Sequence, residues 1–207
     1  MQTKGERTRA QIIERTAALM NRQGFLSTSI AAVIETTGIQ KGGLYRHFDS
    51  RETLAYAAMD FAVGQIRERF LQALQGKANA CDQLLALLAA YGDDDIDVPM
   101  AGGCPIMNSA IEADHAEPGL RQRAQVAMAG WHSLLVGIVQ SGQQRKEIAA
   151  DVDGAAFATV FIAAIEGGVM LTQLYADAQY LRAARRHLEQ HIAQHLRPQD
   201  ATKLAST

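Results

Sequence analysis

The sequence predicts an all-α fold, in which an N-terminal three-helix helix-turn-helix domain precedes a larger helical domain. Three observations lead to this prediction. Hydrophobic residues make up 48% of the 207 residues but aromatic residues only 6%, and only four prolines occur, which favours an aliphatic helical core. Apolar residues recur at spacings of three and four along most of the chain. Glycine, serine and threonine mark the expected helix ends.

The first two helices are delimited by capping residues. Apolar residues at helical spacing predict a first helix over residues 8–23, and Gly24 is a suitable C-terminal stop. Thr28 or Ser29 is expected to cap a second helix, because either side chain can accept a hydrogen bond from a free backbone amide. Gly38 is expected to end this second helix.

The third predicted helix is short and follows a tight turn. It covers residues 40–48, with Leu44 and Phe48 one turn apart and facing the core. Ser50 is expected to cap a long fourth helix. The turn of residues 37–39 has the length found in helix-turn-helix motifs, whose second helix enters the major groove of DNA. We therefore expect residues 1–50 to form a DNA-binding domain.

Charge is distributed unevenly along the chain. Residues 1–51 contain eight lysines and arginines against four acidic residues, a net charge of +4. The whole chain carries −2, so the remaining residues carry −6. A basic end on an acidic body indicates a polyanionic partner for the basic end.

The stretch GIQKGGLYRHF, residues 38–48, places adjacent glycines in a predicted helix, where each costs about 1 kcal/mol relative to alanine. If Gly42 and Gly43 lie on the first turn of the recognition helix, their lack of side chains lets the backbone approach DNA closely. The alternative is a solvent-exposed helix in which the glycines have no role. Basic charge and the preceding turn favour the first interpretation. The side chains expected to reach phosphates or base edges are those of Lys41, Tyr45, Arg46 and His47.

A longer segment resembles a known family. Residues 8–54, TRAQIIERTAALMNRQGFLSTSIAAVIETTGIQKGGLYRHFDSRETL, resemble the DNA-binding domain of the tetracycline-repressor (TetR) family of regulators. The resemblance implies an all-α homodimer whose C-terminal domain binds a small effector and dimerises. The matching residues are Gly24–Phe25, Thr28–Ser29, Gly38, Lys41–Gly42, Leu44–Tyr45, His47–Phe48 and Ser50–Arg51.

The resemblance also assigns expected DNA contacts. Thr28 and Ser29 match the phosphate-contacting start of the second helix, and Arg51 matches the basic residue that opens the fourth helix. Arg46 replaces the aromatic residue or histidine often found in the family, and arginine pairs readily with guanine. The positions that match the recognition helix are Gln40, Lys41, Gly42, Gly43, Tyr45, Arg46 and His47.

The remaining sequence predicts a helical effector-binding and dimerisation domain over residues 51–198, followed by a flexible tail over residues 199–207. Helices are expected over about 50–75, 80–91, 104–114, 118–144, 153–177 and 179–196. Two of them present long apolar stripes that suit a four-helix dimer interface. The stripes comprise Leu120, Ala124, Ala127, Trp131, Leu134, Leu135 and Ile138 on one helix, and Phe157, Val160, Phe161, Ala164, Gly168, Leu171 and Tyr175 on the other.

The expected function is that of a ligand-responsive repressor, released from a palindromic double-stranded DNA operator by an apolar or aromatic small molecule. Glu166 is either a carboxylate paired within the fold or interface or a polar anchor for this effector. The candidate effector-pocket residues are Phe61, Cys104, Met107, Asn108, Trp131, His132, Phe161, Glu166 and Met170.

Cys104 supports an alternative function. The segment of residues 102–123 resembles one found beside the effector cavity in some TetR-family proteins, and Cys104 would lie at a helix start, where the helix dipole favours a thiolate. The thiol is either a small buried side chain or a sensor of oxidants or electrophiles on the same DNA-binding scaffold.

Several other functions find no support in the sequence. No motif of a hydrolase, phosphate-binding loop, zinc protease or dinucleotide-binding fold occurs, so we expect neither an enzyme nor a cofactor. The acidic loop around Asp93–Asp95 lacks calcium-loop spacing. His187, His191 and His195 share one helix face, but nearby arginines disfavour a metal, and we expect none. The polar N-terminus shows no signal peptide, so we expect a cytoplasmic protein without membrane contact.

Overall fold

The predicted all-α class is confirmed. The computed structural model describes residues 3–92, 102–113 and 117–198, and within these ranges every regular element is a helix. The acidic cluster of residues 93–97 and the predicted tail of residues 199–207 lie outside the described residues. The helices are α1 Lys4–Gln23, α2 Ile30–Thr37, α3 Lys41–Leu44, α4 Arg51–Leu74, α5 Ala80–Ala89, α6 Pro105–Ala113, α7 Pro118–Gln144, α8 Gly154–Tyr175 and α9 Gln179–His191.

The chain forms two compact units. Among the described residues, unit 1 contains 3–68, 102–113 and 117–128, and unit 2 contains 69–92 and 129–198. Unit 1 therefore includes α6 and the first part of α7 in addition to the predicted N-terminal domain. The boundary at residue 50 between a DNA-binding domain and an effector-binding domain stays a prediction.

Capping interactions in unit 1 follow the expected pattern. Ser29 is the N-cap of α2, and its hydroxyl oxygen accepts a hydrogen bond from the Ala32 amide at 3.1 Å. Gly38 ends α2 with a φ of 73°, a left-handed conformation that glycine adopts without strain. Ser50 accepts a hydrogen bond from the Thr53 amide at 3.2 Å at the start of α4. These caps fix the ends of the helices that carry the predicted DNA-binding face.

The third helix is shorter than the sequence predicts. It covers only Lys41–Leu44, and residues 45–47 form a turn. Two of its four residues are glycines, which disfavour continued helix because they lose the most backbone entropy. Leu44 and Phe48 are buried as expected, at 1% and 3% exposure, so the segment keeps its predicted orientation on the core.

In unit 2, α8 and α9 pack against each other. The contact is close at Gly168, where a Cβ atom would lie 3.1 Å from Cα of Leu181. The Thr172 hydroxyl oxygen accepts a hydrogen bond from the Leu181 amide at 3.1 Å, which fixes the start of α9 against α8. A π-helical segment, Ile192–Leu196, continues α9.

The predicted dimer stripes are wrong in part. Leu120, Leu135 and Phe161 are fully buried within their own chain, and so cannot form an outer face. On α8 the exposed apolar side chains are Val160 and Tyr175, which belong to the predicted stripe, and Met170 and Leu174, which do not. The sequence pattern identifies apolar faces but not which of two faces on an almost wholly apolar helix turns inward.

Within the described residues, α8 is also long and apolar enough to span a membrane, a test that core helices of soluble proteins also pass.

Candidate nucleic-acid interface

The segment around α3 presents a polar and basic surface. Gln40, Lys41 and Arg46 are exposed, and Tyr45 exposes 44% of its surface although it is aromatic. His47 is half-buried. Leu44 anchors the segment in the core, so the polar side chains on either side of it project outward. Gln40, Tyr45 and His47 can therefore form hydrogen bonds with a polyanion. Lys41 and Arg46 add two permanent positive charges.

The two glycines of α3 differ in their surroundings. A Cβ atom at Gly42 would meet no heavy atom within 4 Å, and the residue is exposed. A Cβ atom at Gly43 would lie 2.9 Å from Cγ1 and 3.2 Å from Cδ1 of Ile39. Gly42 therefore leaves open surface beside the basic side chains, whereas Gly43 is small because Ile39 packs against it.

The side chains of Thr28 and Arg51, which the resemblance matches to DNA-contacting positions, form hydrogen bonds within the chain. Thr28 is only 1% exposed, and its hydroxyl donates to the Gly24 carbonyl at 2.7 Å, so it is not available to a phosphate. The Arg51 guanidinium donates to the carbonyl oxygens of Thr28 at 2.9 Å, Phe25 at 3.1 Å and Leu26. Arginine presents its donors in a planar fork, and here the fork is directed at the chain's own backbone. Both residues shape the α1–α2 connection, residues 24–28.

Two more arginines support the helix-turn-helix from α1. Arg15 donates to the Thr37 carbonyl at 3.1 Å, at the C-terminal end of α2 where free carbonyls favour a cation. The Arg9 guanidinium lies 5.0 Å from the centroid of the Phe48 ring, a cation–π contact. The sequence count of basic residues includes both, so part of the positive charge of residues 1–51 has a structural role.

Glu112 is a polar residue of this region that the sequence pattern did not single out. It lies on α6, and its Oε2 accepts hydrogen bonds from the amides of Phe25 at 2.6 Å and Leu26 at 3.3 Å. A sequence separation of 86 or 87 residues hides this contact from any local pattern. The α1–α2 connection is thus held by a carboxylate on its amides and a guanidinium on its carbonyls.

Comparison with known proteins identifies the family. A family model described as "Bacterial regulatory proteins, tetR family" matches residues 12–58, and one described as "Tetracyclin repressor-like, C-terminal domain" matches residues 80–188. A TetR transcriptional regulator structure from Chloroflexus aurantiacus is 40% identical, with a TM-score of 0.89, and covers 94% of this chain and 98% of its own. The chain belongs to the TetR family.

Other TetR-family proteins agree with this result. A regulator structure from Cytophaga hutchinsonii is 33% identical over 95% of this chain and 98% of its own, with a TM-score of 0.88. The HTH-type transcriptional regulator TtgR of Pseudomonas putida is 22% identical over 84% of each chain. The protein is therefore a DNA-binding transcriptional regulator with a helix-turn-helix. These relatives are regulators, which confirms the expectation that the chain is not an enzyme.

The candidate effector residues of this TetR-family chain are divided between the units. Unit 1 contains four of them and unit 2 contains five. Met170 is 46% exposed on the surface of α8, whereas Phe161 on the same helix is fully buried. Two surface cavities of unit 1 have other linings: about 210 Å³ beside α1 and Thr37–Ile39, and about 450 Å³ between α4 and α7 around Met59 and Arg123. Unit 1 holds Phe61, Cys104, Met107 and Asn108; unit 2 holds Trp131, His132, Phe161, Glu166 and Met170.

Trp131 has the most distinctive surroundings of these candidates. Its ring lies 5.8 Å from that of Phe70 and 6.2 Å from that of Tyr91, and the Phe70 and Tyr91 rings are 5.7 Å apart. The indole is 7% exposed, and its Nε1 has no hydrogen-bond acceptor among the described residues. A buried N–H group without an acceptor costs about 1–3 kcal/mol. An acceptor supplied by a ligand would recover this cost.

Asn108 and His132 are already engaged within their units. Asn108 Nδ2 donates to the Gly102 carbonyl at 2.9 Å and to Asn21 Oδ1 at 3.1 Å. His132 Nε2 lies 3.3 Å from both the Ala155 carbonyl and the Thr159 hydroxyl. Asn108 therefore connects α6 with the end of α1, a role that the sequence did not indicate.

The other potentially reactive side chains are buried or scattered. Cys104 precedes α6 and is 3% exposed, which keeps solvent from its sulfur. Burial raises the pKa of the Cys81 thiol, and a raised pKa disfavours the nucleophilic thiolate. Within the described ranges, no three histidine, cysteine or acidic side chains converge as metal ligands would, the three histidines of α9 included.

Proposed function

We propose that the protein is a homodimeric, cytoplasmic repressor that a small molecule releases from a palindromic operator. TetR-family regulators as a class bind DNA operators and small effectors and act as dimers. The observation that carries the ligand response in this chain is the aromatic cluster of Phe70, Tyr91 and Trp131, with its buried indole N–H. It favours an effector that is aromatic or apolar and bears one hydrogen-bond acceptor.

The exposed face of α8 supports the homodimer. Its apolar residues follow each other at alternating spacings of four and three, the pattern of a helix seam that packs against another helix. Small residues at three of these positions allow close approach, and the large exposed ones supply apolar area. We call this set the α8 seam: Ala156, Val160, Ala163, Gly167, Met170 and Leu174.

The exposed surface around α3 supports operator binding by each protomer. Two recognition segments related by a two-fold axis reach successive major grooves when they are about 34–36 Å apart, one turn of DNA. An effector that prefers another arrangement of the protomers lowers operator affinity by its differential binding to the two arrangements. Of the ten DNA contacts predicted from the sequence, the ones we propose are Ser29, Gln40, Lys41, Gly42, Tyr45, Arg46 and His47.

Intrinsic fluorescence provides the test, because Trp131 is the only tryptophan. Aromatic and apolar compounds that raise the melting temperature are selected first, since a ligand that binds the native state alone stabilises it. A true effector changes Trp131 emission and weakens binding to a duplex selected by the protein from a random library. Trp131→Phe keeps the aromatic packing but removes the N–H, and is expected to weaken compound binding roughly tenfold. Stabilising compounds that leave DNA affinity unchanged would refute the ligand switch.

The thiol-sensor alternative has a separate test. If Cys104 is a sensor, alkylation of the native protein releases the selected duplex and Cys104→Ser abolishes this release, whereas release that persists in Cys104→Ser would exclude Cys104 as its cause. The 3% exposure of Cys104 favours slow alkylation and no release.

A further inference from the structure

We propose that Glu112 is a positioning residue for DNA binding: it holds the α1–α2 connection and makes the start of α2 follow the position of α6. The part of this inference that concerns the effector rests on the proposed function. Glu112 itself does not contact DNA. It acts through Phe25 and Leu26, whose amides it holds from a helix far along the chain.

The backbone of the α1–α2 connection is built to admit the Glu112 carboxylate. Gly24 ends α1 with a φ of 99°, a conformation that other residues rarely adopt. A Cβ atom at this position would overlap the Glu112 carboxylate. Glycine therefore provides both the turn and the space through which Oε2 reaches the amides of Phe25 and Leu26. Charge-assisted hydrogen bonds of this kind are stronger than neutral ones.

Arg51 completes the arrangement from α4. Its guanidinium donates to the carbonyls of Phe25, Leu26 and Thr28, the same short segment whose amides Glu112 holds. Ser29 is the next residue after this segment, and its exposed side chain caps α2. The connection thus cannot move without breaking charged hydrogen bonds on both its sides. Its position sets where α2 begins, and with it the proposed phosphate contact at Ser29.

A second contact links α6 with the end of α1. Asn108 Nδ2 donates to the Asn21 carbonyl at 3.2 Å, and Asn21 Nδ2 donates to the Gly103 carbonyl at 2.9 Å. A Cβ atom at Gly102 would lie 2.5 Å from the Asn21 carbonyl oxygen, so backbone meets backbone here. Any displacement of α6 is therefore passed to residues 21–28 through both Asn108 and Glu112. An effector that displaces α6 would use this route to alter DNA affinity.

A matched pair of variants tests the proposal. Glu112→Ala removes the carboxylate from the α1–α2 connection. Glu147→Ala removes a comparable carboxylate in unit 2, whose Oε2 accepts a hydrogen bond from the Ala80 amide at 2.8 Å. Binding is measured on a duplex selected from a random-sequence library by the wild-type protein, and amide hydrogen exchange is measured in the free protein. Glu112→Gln, which keeps one acceptor oxygen, serves as the conservative variant.

The expected result is specific to Glu112. Glu112→Ala should expose the Phe25 and Leu26 amides to faster exchange and weaken duplex binding about tenfold, with Glu112→Gln in between. Glu147→Ala should bind as wild type does. Wild-type affinity in Glu112→Ala, or an equal loss in both alanine variants, would overturn the proposal while leaving the proposed function intact. Failure of the wild-type protein to select any duplex would instead overturn the proposed function, and this inference with it.

Discussion

Gly43 lies against the side chain of Ile39, so closely that a Cβ atom at position 43 would be 2.9 Å from Cγ1. A Cβ atom at the neighbouring Gly42 would meet no heavy atom within 4 Å. The sequence-based interpretation gave both glycines the same role, a close approach of the backbone to DNA. In the structure the two glycines have different roles. Gly43 allows the turn to pack against Ile39, and Gly42 leaves the surface open.

Substitution of the two glycines should therefore give opposite results. Gly43→Leu is expected to lower the unfolding free energy by about 1–3 kcal/mol, because a large side chain must displace Ile39. Gly42→Leu should leave stability unchanged or slightly higher, since glycine disfavours helix, and should weaken DNA binding by holding α3 away from the groove. Chemical unfolding and binding to the selected duplex measure the two effects. A stable Gly43→Leu protein would show that Ile39 relaxes easily.

Lys41 and Arg46 should differ in what they contribute to DNA binding. Lys41→Ala removes a phosphate contact, so it should weaken specific and random duplexes alike and reduce the slope of log affinity against log salt by about 0.9. Arg46→Ala should cost roughly 1–3 kcal/mol on the selected duplex and less on random DNA, if its guanidinium pairs with guanine. Salt titrations on both duplexes separate the two roles. Equal losses of Arg46→Ala on both duplexes would assign Arg46 to the phosphates.

Arg51 should matter for stability as well as for DNA. Arg51→Ala removes donors from three carbonyls of the α1–α2 connection and is expected to cost about 2–4 kcal/mol. Arg67→Ala is the control, because Arg67 is exposed on the same helix. Thermal unfolding of the two variants in the absence of DNA distinguishes a stabilising role of Arg51 from a role in DNA binding alone. If Arg51→Ala melts as Arg67→Ala does and loses only DNA affinity, then Arg51 contacts phosphate as the family resemblance implies.

A charge on the α8 seam should break the dimer. Val160 is 59% exposed, and in the proposed dimer it is buried by the partner. Val160→Glu would bury an unpaired carboxylate there, at a cost of several kcal/mol, and should raise the dimer dissociation constant by roughly 100-fold or more. Ile111→Glu on α6 is the control, since Ile111 is 69% exposed but lies outside the seam. Light scattering at micromolar concentration should show a wild-type dimer, and a wild-type monomer would refute the proposed assembly.

Acidification should destabilise unit 2 through His191. Burial, and then the nearby His195 and His187, lower the pKa of His191 below its usual 6.5, and its ring stacks on Phe157 with centroids 6.2 Å apart. The unfolded chain therefore takes up a proton near pH 6.5 while the folded chain resists it. Stability is fully present above pH 6.5 and falls as the pH drops below it. His191→Gln should reduce this fall between pH 7.5 and 5.5, measured by chemical unfolding, and an unchanged fall in this variant would contradict the assignment to His191.

Local features of the fold could be predicted from the sequence, because short-range chemistry determines them. A cap of α2 at Thr28 or Ser29, which proves to be Ser29, the end of α2 at Gly38, and Leu44 and Phe48 in the core are confirmed. Each depends on a spacing of a few residues or on the conformational freedom of one glycine. The family resemblance rests on the same short segment.

Tertiary contacts determined which face of α8 packs inward and which partners Thr28, Arg51 and Glu112 have. On α8 nearly every residue is apolar, so periodicity alone could not tell the face that packs on α9 from the α8 seam. The family resemblance assigns Thr28 and Arg51 to DNA contacts, because it compares positions in the sequence and not the partners of each side chain. Their hydrogen bonds to Gly24, Phe25 and Leu26 become visible only in the folded chain. Glu112 lies more than 80 residues from the amides it holds, and no local pattern encodes such a contact, because its geometry exists only once α6 has docked against the end of α1.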